Sequence, residues 1–209
     1  MYSTTTMSIN RRMNTERFHK QITFLLELDK LKDILRQSRI IPSMRQENSA
    51  EHSWHTAMMA MVLGKDYASG IDLYRVEQML LLHDIVEIDA GDTFAYDEEG
   101  YTDKAVREQD AAKRIFGLLP PDQHQELKTA WEEFEQGKTK EARFANSMDR
   151  LMPLLHNYYS QGGTWKCHGT RKSQVQQRMA KIKEASPELW EFAESLIHSA
   201  VRKGFLADG

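Results

Sequence analysis

Sulfur chemistry is scarce: Cys167 is the only cysteine in 209 residues. One thiol closes no intramolecular disulfide and builds no cysteine-based zinc site, which fits a reducing, cytoplasmic setting. Long apolar runs are also missing. Runs such as Ala57–Leu63 fall far short of the roughly 20 residues that span a bilayer, so no membrane partner is expected. The opening MYSTTTMSINRRMN holds no apolar segment of the signal-peptide kind. Excess charge of one sign is absent too. The formal net charge is −3, so nothing points to nucleic acid as a partner. A small phosphorylated ligand needs only a local cluster of arginine and metal and stays open. No convincing period-two alternation marks a strand, and no repeat is visible.

What is present is helical periodicity. Phe18, Ile22, Leu25, Leu28, Leu31 and Leu35 recur every three or four residues and predict a first helix. Ser49 is read as the N-cap of a second, with Trp54, Met58, Met61 and Val62 as its core stripe. Val76, Met79, Leu80, His83 and Val86 predict a third. Further helices are expected after Thr102, Pro121, Thr139 and Ser186, and around Val175 and Met179, with SQGGTWKCHGT as a loop. The expected architecture is all-α: a flexible segment over 1–15, then one compact helical bundle over 16–205.

The chemistry sits in three of these helices. His83 and Asp84 are adjacent near the end of an otherwise apolar helix, Glu87 follows His83 at i+4, and Asp92 lies just beyond Gly91. Taken alone, such a His-Asp pair reads as a satisfied core histidine beside a helix-end carboxylate. His52, in the first turn of the second helix, is also unremarkable by itself. Asp149 then brings a carboxylate into a third apolar helix, within ARFANSMDRLMPLL. Two histidines and two aspartates converging from three helices make a nitrogen/oxygen donor set. That set suits one divalent ion among Mn, Co, Fe, Ni, Zn and Mg, and leaves positions open for water and substrate. Pro153 stands four residues after Asp149 and cannot donate to its carbonyl, so a kink there is expected if the helix is continuous.

The order His…His-Asp…Asp resembles the HD-domain superfamily of metal-dependent phosphohydrolases. The fuller pattern is R-x-E-N-x-x-E-H-S over Arg45–Ser53, H-D-x-x-E-x-x-x-G-D over His83–Asp92, and the later Asp149. It is similar to the small HD hydrolases of the 5′-deoxynucleotidase type. The resemblance implies an HD-type bundle with His52, His83, Asp84 and Asp149 as metal ligands and Glu87 and Asp92 as catalytic carboxylates. It implies Arg45 near substrate. Such enzymes carry an Arg-Trp pair upstream; here the region reads RQSRIIPSM, with Arg36 and Arg39 as replacements for the Arg and no Trp. Arg45 and Arg39 are taken as the substrate-binding pair. The implied activity is hydrolysis of a phosphomonoester, a (deoxy)nucleoside 5′-monophosphate, by a cytoplasmic homodimer. Another HD activity (phosphodiesterase, (p)ppGpp or nucleoside triphosphate hydrolase) and a silent nucleotide-binding scaffold remain as alternatives.

Overall fold

A computed structural model describes residues 4–97, 100 and 102–208, with side chains from residue 15 onward. The chain forms α1 (Thr4–Glu27), a 3-10 turn (Leu28–Asp33), β1 (Leu35–Arg39), β2 (Gln46–Asn48), α2 (Ser49–Tyr67) and α3 (Leu73–Leu82). It continues with α4 (Glu87–Ala90), α5 (Lys104–Phe116), α6 (Pro121–Gln136), α7 (Lys140–Tyr159), α8 (Gly163–His168), α9 (Lys172–Met179), α10 (Ile182–Ala185) and α11 (Pro187–Arg202). The all-helical reading holds for the body of the fold.

Helix α7 runs through the middle, packed against α2, α3, α6, α10 and α11. Its Met148, Leu151 and Leu154 meet Met79 and Leu80 of α3, Trp131 of α6 and Ile197 of α11 in one buried cluster. Each such side chain contributes roughly 1.5–3 kcal/mol by leaving water. This centrality places Asp149, between Met148 and Leu151, at the heart of the bundle. Helix α7 is continuous through Pro153.

Helix α2 departs from its predicted face. Trp54, Met58, Met61 and Val62 are exposed, whereas His52, Ser53, Thr56, Ala57, Ala60 and Gly64 are buried. The inward stripe is small because α2 lies close against its neighbour. A Cβ placed on Gly64 would stand 2.2 Å from Leu73 Cδ2. The N-cap also shifts by one residue. Asn48 Oδ1 accepts from Glu51 N at 2.9 Å, and Asn48 N donates to Glu51 Oε2 at 3.2 Å, a complete capping box.

Three other segments differ from expectation. The stretch from Leu35 to Asn48, where no strand is expected, is an antiparallel hairpin, pairing Leu35 with Asn48 and Arg39 with Gln46 across an irregular register. The helix expected to run through His83 to Val86 stops at Leu82; tight turns from Leu82 O to Ile85 N and Asp84 O to Glu87 N then lead into α4. The supposed loop around Trp165 contains α8. Asn157 Oδ1 accepts from Thr164 Oγ1 at 2.8 Å and from Trp165 N at 3.1 Å, satisfying donors at the start of that short helix.

Candidate metal centre

The centre gathers where α2, the α3–α4 turn and α7 meet. His52 Nε2 lies 3.1 Å from Asp149 Oδ1, and His83 Nε2 lies 3.7 Å from the same oxygen. The two imidazole centroids are 5.5 Å apart. Asp84 Oδ1 stands 3.1 Å from His83 Nε2. Glu87 Oε2 accepts from Ser49 Oγ at 2.6 Å. All six residues predicted as ligands or catalytic carboxylates come together, Asp92 included, through Arg36 as described below.

Both rings are backed by a polar group. His83 Nδ1 lies 2.8 Å from Leu80 O, so Nδ1 donates to that carbonyl and Nε2 faces the centre. That Nε2 is buried and has no hydrogen-bond partner among the described residues. His52 Nδ1 faces the Glu47 Oε2 carboxylate oxygen at 3.4 Å without hydrogen-bonding it, and its Nε2 faces Asp149. A histidine that offers one nitrogen inward and anchors the other is arranged as a metal ligand. His52, His83 and Asp149 each bring one ligand atom, all within 4.8 Å of one another.

Charge makes the same demand. Asp84, Glu87, Asp92 and Asp149 crowd around one guanidinium, that of Arg36. Its Nη1 is 2.6 Å from Asp84 Oδ2, 3.7 Å from Glu87 Oε1 and 3.6 Å from Asp92 Oδ1; Nη2 is 3.9 Å from Asp149 Oδ1. One cation against four buried carboxylates leaves a negative excess, which burial makes expensive. The titrations register it. Desolvation, then the neighbouring Asp84, pushes Glu87 well above the usual carboxylate range. Desolvation first, then Asp84 and Asp149, raises Asp92, with Arg36 opposing. Burial would lower His83, but Asp84 and Asp149 lift it to about 9. Burial would raise Asp149, but the hydrogen bond with His52 and the nearby His83 ring hold it well below its ordinary value. The unpartnered Nε2 of His83 and this surplus of carboxylate both fit a divalent cation.

The predicted arginines lie elsewhere. Arg45 is exposed and grips Glu51 at both carboxylate oxygens, 2.9 Å and 2.5 Å, so it braces the α2 capping box rather than the centre. Arg39 Nη1 donates to Met44 O at 2.7 Å across the hairpin tip. Strand geometry explains why: side chains alternate faces, so Arg36 and Ser38 point inward while Arg39 points out. Sequence reasoning had named Arg36 as a possible replacement for the family's arginine but put Arg39 in the pair. The residues it missed are Glu47, behind His52, and Arg178, on α9.

Arg36, Asp92, Thr93 and Arg178 line two adjoining clefts. One holds the centre. The other is walled by Phe94, Pro153, Leu154 and Trp165.

An HD domain profile matches residues 28–190, and the chain belongs to that family. It is 32% identical over 135 residues to the human 5′-deoxynucleotidase HDDC2, covering 64% of this chain and 65% of the relative. The zebrafish (Danio rerio) 5′-deoxynucleotidase HDDC2 is 28% identical over 140 residues, covering 66% and 68%. The match thus spans just under two thirds of the human relative's length. Among solved structures, a predicted metal-dependent phosphohydrolase from Magnetospirillum magnetotacticum MS-1 superposes with a TM-score of 0.88 at 50% identity, covering 92% of this chain and 96% of that one. PH0347 from Pyrococcus horikoshii OT3, at 21% identity and a TM-score of 0.60, shares the fold.

Proposed function

We propose that this chain is a metal-dependent phosphomonoesterase acting on (deoxy)nucleoside 5′-monophosphates. The observation that carries the reading is the convergence of His52, His83, Asp84 and Asp149 with Glu87, Asp92 and Arg36, beside a cleft with an apolar wall. The names of the relatives support the substrate class. A divalent ion held by His52, His83, Asp149 and Asp84 supplies Lewis acidity toward phosphate oxygen and water. Arg36 and Arg178 bind the phosphate from the shared rim, Arg36 through its planar fork. Phe94, Pro153 and Trp165 pack against the nucleoside, and their apolar surface tolerates more than one base.

Glu87 orients the attacking water and takes its proton. Its raised carboxyl makes it a stronger base than an exposed glutamate. Asp92, also raised, delivers a proton to the departing 5′-oxygen. The water oxygen–phosphorus bond forms as the bond from phosphorus to the 5′-oxygen breaks, giving nucleoside and inorganic phosphate. The test is hydrolysis of a panel of nucleoside monophosphates with Co²⁺, Mn²⁺ or Mg²⁺, alongside an aryl phosphodiester. Phosphate release from 5′-monophosphates is expected; activity on the diester alone overturns the reading.

We also infer a homodimer in the cytoplasm. The exposed Trp54, Met58, Met61 and Val62 on α2 support self-association, and the single, exposed thiol of Cys167 supports a reducing compartment. Sedimentation equilibrium checks the first: a monomer at micromolar concentration refutes it.

A further inference from the structure

We propose a second cation site, formed by Glu47, His55 and His156 on the far side of the His52 ring from Asp149, that takes Zn²⁺. These three residues come from β2, α2 and α7, and each offers one ligand atom, all within 4.8 Å of one another. Nothing in the proposed phosphatase chemistry uses His55 or His156.

The site is largely built. Glu47 and His156 are buried, at 1% and 4% exposure. His156 Nδ1 lies 3.7 Å from Glu47 Oε2, yet it has no hydrogen-bond partner among the described residues. A buried ring nitrogen aimed at a carboxylate without bonding it has a lone pair or a proton with nowhere to go, and a cation between the two groups resolves that. His55 stands at the open side. Its ring centroid is 6.2 Å from that of His156, and it is exposed, so it can turn inward. Tetrahedral zinc with bonds of about 2.0–2.1 Å sets neighbouring ligand atoms roughly 3.4 Å apart. Closing from the present spacing needs about an ångström, within reach of one exposed side chain. Two imidazoles and a carboxylate are a borderline-soft donor set that favours zinc over magnesium or calcium, with a fourth position left for water.

Glu47 ties the two sites together. Its Oε2 accepts from Ser38 Oγ at 2.7 Å and faces His52 Nδ1 at 3.4 Å, so the carboxylate behind His52 is also a ligand of the second ion.

The experiment is equilibrium dialysis of the metal-stripped full chain against Zn²⁺, with bound zinc counted by elemental analysis. Wild type and the exposed control His198→Ala are expected to hold two equivalents, and His55→Ala one, with unchanged helical circular dichroism. A His55→Ala variant that holds as much zinc as wild type, whatever the wild-type total, overturns the proposal. The readout is stoichiometry, so it stands or falls apart from the nucleotidase reading.

Discussion

Arg36→Gln probes the charge balance of the centre most directly. In wild type one guanidinium, its side chain 12% exposed, stands among four carboxylates, 2.6 Å from Asp84 and within 3.9 Å of the other three. Removing it leaves those groups without a guanidinium, with only the His83 imidazole beside Asp84 and Asp149. Breaking a buried pair from one side costs about 3–5 kcal/mol. For a chain of this size each kcal/mol moves Tm by roughly 2–4 °C, so the metal-free variant should melt about 6–20 °C below wild type. A divalent ion restores the missing charge. It stabilises the folded state by RT ln(1 + [L]/Kd), and Asp84 no longer divides its attention between Arg36 and the ion, so Mn²⁺ should raise Tm more in the variant than in wild type. Differential scanning calorimetry with EDTA and then with Mn²⁺ reads both. A metal-free variant melting within about 2 °C of wild type would refute the reasoning, because Arg36 would then not be what balances the carboxylates.

Other outcomes follow from the same geometry. Arg45→Gln should leave kcat/KM within a few-fold of wild type and lower stability by at most about 1 kcal/mol, since it removes only an exposed pair on the capping box; a large activity loss would return Arg45 to the substrate. Glu87→Gln should cut kcat by roughly 10²–10⁴ while the metal stoichiometry holds. Gly91 adopts φ 73°, ψ 153°, a conformation essentially confined to glycine, with nothing within 4 Å of a Cβ. Gly91→Ala should therefore cost about 1–3 kcal/mol from backbone strain alone, read by chemical denaturation. Outside the centre, hydrogen bonds from Lys30 and then Arg114 hold Glu27 below its ordinary 4.5. Its contribution is present above that value and is lost as pH falls through the lower folded one, so Glu27→Gln should flatten the acid limb of stability against pH.

The candidate ligands are legible because each stands out as a polar residue within an apolar helix, and their spacing repeats a family pattern. The core face of α2 is not. Hydrophobic periodicity assumes that large apolar side chains face inward, but here close helix approach demands Ala57, Ala60 and Gly64, and the large residues are left outside. The hairpin was hidden for a related reason: the inward face of β1 is Arg36 and Ser38, which gives no apolar alternation to detect. Which arginine faces the centre depends on that hidden strand, and the sequence does not show that it is Arg36 rather than Arg39. Glu47 carried a signal in the motif R-x-E-N, but its role appears only once it is seen behind His52.

The two strands of that hairpin divide the labour of the centre. Arg36 on β1 supplies its fixed positive charge, and Glu47 on β2 backs His52. Because the strands are paired, neither can slide without the other. The exposed tip between them, bridged by Arg39 and Met44, is thus a handle on the electrostatics of the centre: a substitution there that slipped the register by one residue would turn Arg36 out of the cluster and release His52 in a single movement.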